Sequence, residues 1–208
     1  MVDAATQSVE LYVVPARLER WTANFLKRHG ATASNVVNGA LVGFAQDGSS
    51  FEARLPFGRT FTGPPTTEAF LKAAEPPKEW GLLLVRKGGF AVARIEGDRI
   101  VSSKVGQRHV LGRSKAGGWS QQRFARRRDH QARRAYEAAA QHTEIIIGHM
   151  KSIVVGGDRT AIDEVVALTG IRSRVVATMP DVREPRRGVF EEAAIDARSV
   201  RMRVTNAK

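Results

Sequence analysis

The chain contains no cysteine. Disulfides, thiolate zinc sites and cysteine nucleophiles are therefore excluded together, and a reducing compartment is the expected setting. No apolar run approaches the roughly 20 residues that a bilayer-spanning helix needs. The opening MVDAATQSVE carries acids where a secretory signal has a basic region and an apolar core. A cytoplasmic protein with no membrane partner is expected. His29, His109, His130, His142 and His149 show no HExxH or comparable ligand spacing, so neither a metal site nor a cofactor is expected. Internal repeats and low-complexity tracts are missing as well.

Acidic residues are in short supply. Against 33 Lys+Arg stand 21 Asp+Glu, a net charge of +12 over 208 residues, and such a balance points to a polyanionic partner, nucleic acid first. The excess is concentrated. Between Lys104 and Arg134 lie ten basic residues and one acid, Asp129, which is nine of the twelve net charges in about 15% of the chain. With so few neighbouring acids, the run reads as a phosphate-contacting surface more readily than as a solvated, salt-bridged face.

Hydrophobic period and turn signals place the elements. Residues 15–30 read as an amphipathic helix from Pro15 to a stop at Gly30, with Leu18, Trp21, Phe25 and Leu26 on one face. Residues 40–57 read as two strands around Asp47-Gly48, and TTEAFLKAAE as a short helix before Pro76 and Pro77. Those prolines are the expected boundary between a small α+β N-terminal region, 1–77, read as helix, hairpin and helix, and a second domain, 78–208. In the latter, 80–111 reads as a three-strand antiparallel meander whose middle strand alternates apolar and polar residues. A basic helix of about 20 residues follows. Then come a buried-type strand, a glycine turn capped by Asp158, a helix, a strand at 174–179, a helix at 188–197 and a last strand, SVRMRV. Strands alternating with helices imply an α/β fold, a mixed β-sheet with packed helices.

Before the basic helix stands KAGGWSQQRFARRR. Gly117 and Gly118 allow backbone angles and close approaches denied to other residues, and Ser120 is placed to cap the helix. Spacing alone favours a turn and N-cap over a catalytic loop, and the glycines match neither GxxxxGK[ST] nor GxGxxG. Asp163 and Glu164 read as a helix's solvent face, not an acid/base pair. VVGGDRT fits an ordinary strand, turn and cap as well as an anion site. No carboxylate cluster of the kind that holds Mg²⁺ accompanies the loop, which counts against a nuclease.

The stretch 117–128 resembles the catalytic loop and following helix in the middle domain of eukaryotic-type peptide chain release factors. Gly117, Gly118, Ser120, Arg123, Phe124, Ala125, Arg126 and Arg128 match that pattern. Trp119 stands where the family has its glutamine, and Gln121 and Gln122 come slightly later. This displacement is similar to that of the release-factor-like peptidyl-tRNA hydrolases of ribosome quality control, in particular their actinobacterial branch. The resemblance follows the order of elements over 80–205 and implies a release-factor middle-domain-like core. It implies hydrolysis of the ester joining peptide to tRNA on stalled ribosomes, with the large subunit and peptidyl-tRNA as partners and a monomeric enzyme. Gln121 is the expected water-positioning amide with Gln122 next, on a loop presented by Gly117 and Gly118. Lys115, Arg113, Trp119, Ser120, Arg123, Arg126, Arg127 and Arg128 are the expected RNA contacts. Trp119 can either stack on the terminal adenosine or pack beneath the loop. A non-catalytic ribosome- or RNA-binding protein using the same basic helix is the alternative from another class.

Overall fold

The structure is a computed structural model that describes residues 8–107, 119–179, 182–183 and 185–207; for 107 and 119–130 it describes the backbone. Among these residues are ten strands in two five-stranded sheets, and five α-helices. The chain forms two compact units, one built from residues up to Pro76 together with those from Ile195 onward, the other from Pro77 to Ala194.

The first unit holds strands β1 (Ser8–Val13), β2 (Thr32–Val37), β3 (Ala40–Ala45) and β4 (Ser50–Arg54) with helices α1 (Leu18–His29) and α2 (Thr67–Ala74). The final strand β10 (Val200–Thr205) enters this sheet between β1 and β4, giving the all-antiparallel order β1-β10-β4-β3-β2. The expected hairpin is thus the centre of a larger sheet, and the last strand, expected with the C-terminal half, belongs here instead. Its alternation explains why: Val200, Met202 and Val204 are buried while Arg201 and Arg203 face solvent, a period-2 pattern suited to a sheet with one covered face. The covering comes from Leu18 and Phe25 of α1 and Phe70 and Ala74 of α2. Leu26, expected on the same stripe, is exposed, because the face that meets the sheet is narrower than the apolar spacing suggests. At the hairpin, Gly43 lies opposite Phe51, whose ring occupies the space a Cβ would need.

On the open side of this sheet Glu10 accepts from Arg201 at 2.9 Å and from Arg203 at 2.9 Å. The hydrogen bonds from Arg201, then those from Arg203, hold its carboxyl below the usual 4.5. A carboxylate with a lower pKa folded than unfolded stabilises the fold above the unfolded value, and that contribution is lost as pH falls through the folded one. All three groups are exposed and screened, so the effect is small. Glu10→Gln should flatten the acid limb of a stability-versus-pH curve recorded by urea unfolding at low salt. Identical acid limbs for both proteins would show that the three-residue cluster adds nothing.

In the second unit, β5 (Glu79–Arg86), β6 (Gly89–Glu96) and β7 (Arg99–Gln107) form the meander. Next in chain order come α3 (Trp119–Ile147), β8 (Ile153–Gly157), α4 (Arg159–Thr169), β9 (Val175–Met179) and α5 (Arg187–Ala197), whose last residues, from Ile195, belong to the first unit. The sheet order is β7-β6-β5-β8-β9, antiparallel through β5 and parallel from β5 to β9. It is the mixed sheet with packed helices that the sequence pattern predicts. The middle strand differs from expectation: Phe90, Ala91, Val92 and Ala93 are all buried, so both faces are covered and the alternation in its sequence continues only in Arg94 and Glu96, which are partly exposed.

Candidate nucleic-acid interface

The C-terminal half of α3 is fixed by burial. Ala132, Ala135, Ala139, Ala140, Thr143 and Ile147 are buried, a spacing of three and four that lays one helical stripe on the sheet. Tyr136 packs half-buried beside them. Burial, then the charges of Asp158 and Glu164, raise its phenol pKa, so it stays neutral. The stripe is alanine-rich where helix meets strand, which permits close approach. At Gly81 of β5 a Cβ would come within 3.0 Å of Ile147, a contact tight enough that the Ile147 side chain would have to shift. Burying Ile147 fully contributes about 2 kcal/mol. His142 stacks on Phe90 with centroids 5.6 Å apart. The Thr143 hydroxyl donates to the Ala139 carbonyl at 2.7 Å. Beyond the helix end, the Arg174 guanidinium donates to the Gly148 carbonyl, satisfying a carbonyl near the C-terminus.

A second clamp sits where β8 turns into α4. Asp158 occupies the N-cap position as expected, yet its carboxylate makes no cap hydrogen bond. It accepts from the Lys87 backbone N–H at 3.1 Å and pairs with Arg86 at 3.0 Å, while its own N–H donates to Val85 at 2.9 Å. Asp158 therefore ties the turn to the β5–β6 hairpin. Sequence spacing shows a cap and misses this tie, because Arg86 and Lys87 are 71 or more residues away along the chain; the only local signal is the glycine pair ahead of Asp158. Asp163 and Glu164 are exposed on α4, and Asp163 pairs with Arg172 at 3.1 Å, as a solvent face does.

The N-terminal end of α3 carries the predicted site. Trp119, Ser120, Gln121, Gln122, Arg123, Arg126, Arg127 and Arg128 all belong to its first three turns, a length of about 15 Å at 1.5 Å per residue. Two expectations are corrected. The described helix runs Trp119–Ile147, so Ser120 lies within it and is not its cap, and Gln121 and Gln122 are helical and not on a loop. The helix has 29 residues where about 20 were expected. The polar, arginine-rich first turns lack the apolar period used to find helices, yet glutamine and arginine are good helix formers. Arg113, Lys115, Gly117 and Gly118 lie outside the described residues.

Charge is unbalanced where it is described. Arg133 and Arg134 are exposed and pair with no described residue, whereas Arg86, Arg94, Arg99, Arg172, Arg183 and Arg187 each meet a carboxylate. Among the described residues there is no cluster of metal ligands, and no helix is long and apolar enough to cross a membrane. His29 is engaged elsewhere, 2.8 Å from Asp47.

An antiparallel meander continued into a parallel α/β layout, with an arginine-rich helix next in chain order after its third strand, defines an α/β domain of mixed sheet and packed helices. A family profile described as Actinobacteria/chloroflexi VLRF1 release factor matches residues 78–203, and the chain belongs to that family. Among solved structures it is similar to an archaeal translation termination factor, aRF1, at 13% identity with a TM-score of 0.42, covering 92% of this chain and 64% of that one. It is similar also to Pelota of Archaeoglobus fulgidus, at 9% identity, TM-score 0.29 and coverages of 93% and 63%. Pelota of Thermoplasma acidophilum gives 11%, 0.32, and coverages of 91% and 64%. The chain thus spans less than two thirds of the length of each. No curated protein matches it.

Proposed function

We propose that the chain is a peptidyl-tRNA hydrolase of ribosome rescue, which frees the nascent peptide from tRNA on stalled ribosomes in the cytoplasm. The observation that carries this reading is the family match over 78–203, a range that includes GGWSQQRFARRR. The site belongs to the second of the two sequence-expected domains, 78–208, with the large ribosomal subunit and peptidyl-tRNA as partners and a monomer as the working form.

The reaction needs little from the protein. Water adds to the acyl carbon of the ester, the C–O bond to the ribose breaks, and the water's protons end on the peptide carboxyl and the ribose hydroxyl. Gln121 has one acceptor for a water proton and two donors for an oxyanion. Placement in a helix's first turn adds backbone N–H groups that have no intrahelical partner and the positive end of the dipole. Both favour charge developing on the carbonyl oxygen. Gly117 and Gly118 let the tRNA end approach, and Trp119 and Ser120 border it. Arg123, Arg126, Arg127 and Arg128, with Arg113 and Lys115, hold phosphates. Positioning accounts for most of the acceleration, and no strong base is required.

A specific observation favours a second reading: Trp119 fills the position of the family glutamine, so the motif can serve binding alone. Stalled ribosome-nascent-chain complexes incubated with the protein separate the two. Free peptide with intact tRNA is the expected product; complexes that bind the protein and keep their peptide would leave only the binder.

The arginines have their own test. Arg126→Ala/Arg127→Ala/Arg128→Ala should weaken ribosome or tRNA affinity and lower the slope of log affinity against log salt by about two to three, because each lost phosphate contact releases one counterion fewer. An unchanged salt titration would make the three a solvated surface.

A further inference from the structure

The apolar core of the first unit is not closed along one side. Between α1 and the neighbouring strands β1 and β10 lies a pocket of about 420 Å³. Val9, Leu11 and Val204 form its sheet wall, Trp21 and Phe25 its helix wall. Val9 is 50% exposed there, an aliphatic side chain on the covered side of the sheet with no described residue seated over it. The helix wall is held in place. Trp21 stacks on Phe25 at 5.5 Å, both rings meet Phe51 edge-on at 5.4 and 5.1 Å, and Phe25 contacts His29, which pairs with Asp47. The pocket is therefore preformed and mostly apolar, with Asn24, Arg28, His29 and Asn206 as the polar part of its lining.

The charge along α1 is mainly cationic. Arg17, at the start of α1, and Arg20, Lys27 and Arg28 on it are exposed and pair with no described residue; the helix has one acid, Glu19. Arg20, Asn24 and Arg28 follow at intervals of four, along one side of the helix. On the sheet, by contrast, Arg54, Arg201 and Arg203 are neutralised by Glu52 and Glu10.

We propose that this pocket docks an acidic segment of a partner protein, which inserts one large apolar side chain between Trp21 and Val9 and sets its carboxylates along the α1 cations. Charge complementarity selects the acid. The lining selects an apolar anchor over a nucleobase, whose polar edge would lie unpaired against Val9, Leu11 and Val204. A buried anchor ringed by charge is the arrangement in which a single side chain dominates affinity. The proposal stands apart from the hydrolytic site, because every residue in it belongs to the first unit.

The test titrates full-length protein with a short Glu/Asp-rich peptide bearing one Phe, the same peptide with Ser for Phe, and an oligouridylate, following methyl and indole NMR signals. The Phe peptide should shift Val9, Leu11, Val204 and Trp21 resonances. It should bind about tenfold more tightly than the Ser peptide and lose about tenfold in affinity with Arg20→Glu/Arg28→Glu. Val9→Glu, at a half-exposed position that does not threaten folding, should abolish those shifts while leaving peptide release untouched. Equal binding of the Phe and Ser peptides, no shifts at these residues, or oligouridylate shifting them in preference would each overturn it.

Discussion

Gln121→Ala is expected to slow peptide release by about two to three orders of magnitude, the usual cost of removing a hydrogen bond made to the transition state. The fold and the affinity for stalled ribosomes should change little. Gln121 lies in α3 three helical turns before Ala132, the first buried residue of that helix among those described, and alanine is at least as good a helix former as glutamine. The arginines proposed to supply binding remain. The prediction therefore separates chemistry from docking: single-turnover release falls, while co-sedimentation with the ribosome does not. Gln122→Ala should do less, since Gln121 is the amide proposed to position the water. A reversal of the two effects makes Gln122 the active amide. Wild-type release from both variants would end the hydrolytic reading of this turn and leave ribosome binding as the survivor.

What could be read from the chain depended on how local the cause was. The meander, the β8–α4 turn and α2 follow from alternation, glycine turns and a cap, all set within a few residues; Thr66, for example, accepts from the Ala69 N–H. The place of β10 was not legible, because its partners β1 and β4 are chosen by a sheet assembled from both ends of the chain. The burial of both faces of β6 was hidden for the same reason: Ala91 and Ala93 are small enough to suit either environment until the surrounding elements are known. At the site, composition and motif were legible and the conformation was not. Arginines and glutamines mark neither loop nor helix by period, so the helical state of Gln121 and Gln122 was not legible. Asp158 is the instructive intermediate, a residue whose position was read correctly and whose partner was not.

The clamp at Asp158 rests on the residue before it, and Gly157→Ala should destabilise the second unit by about 2–4 kcal/mol. Gly157 has φ +115°, well beyond the left-handed region that non-glycine residues occasionally visit. It pairs with Val85 across the β5–β8 ladder, and a Cβ added there would overlap the Val85 carbonyl oxygen. That oxygen also accepts the Asp158 N–H at 2.9 Å, so relieving the overlap pulls apart the hydrogen bond and with it the Asp158 contacts to Arg86 and Lys87. Alanine adds the smallest possible side chain, which keeps the effect one of backbone. Gly170→Ala is the matched control. Gly170 ends α4 at φ +65° with open space where its Cβ would go, and its substitution should cost about 1 kcal/mol from conformation alone. Hydrogen exchange of the β8 amides would show where the difference falls, and denaturant unfolding how large it is. Equal losses for the two variants would mean that positive φ accounts for both and that the close approach to Val85 relaxes without cost.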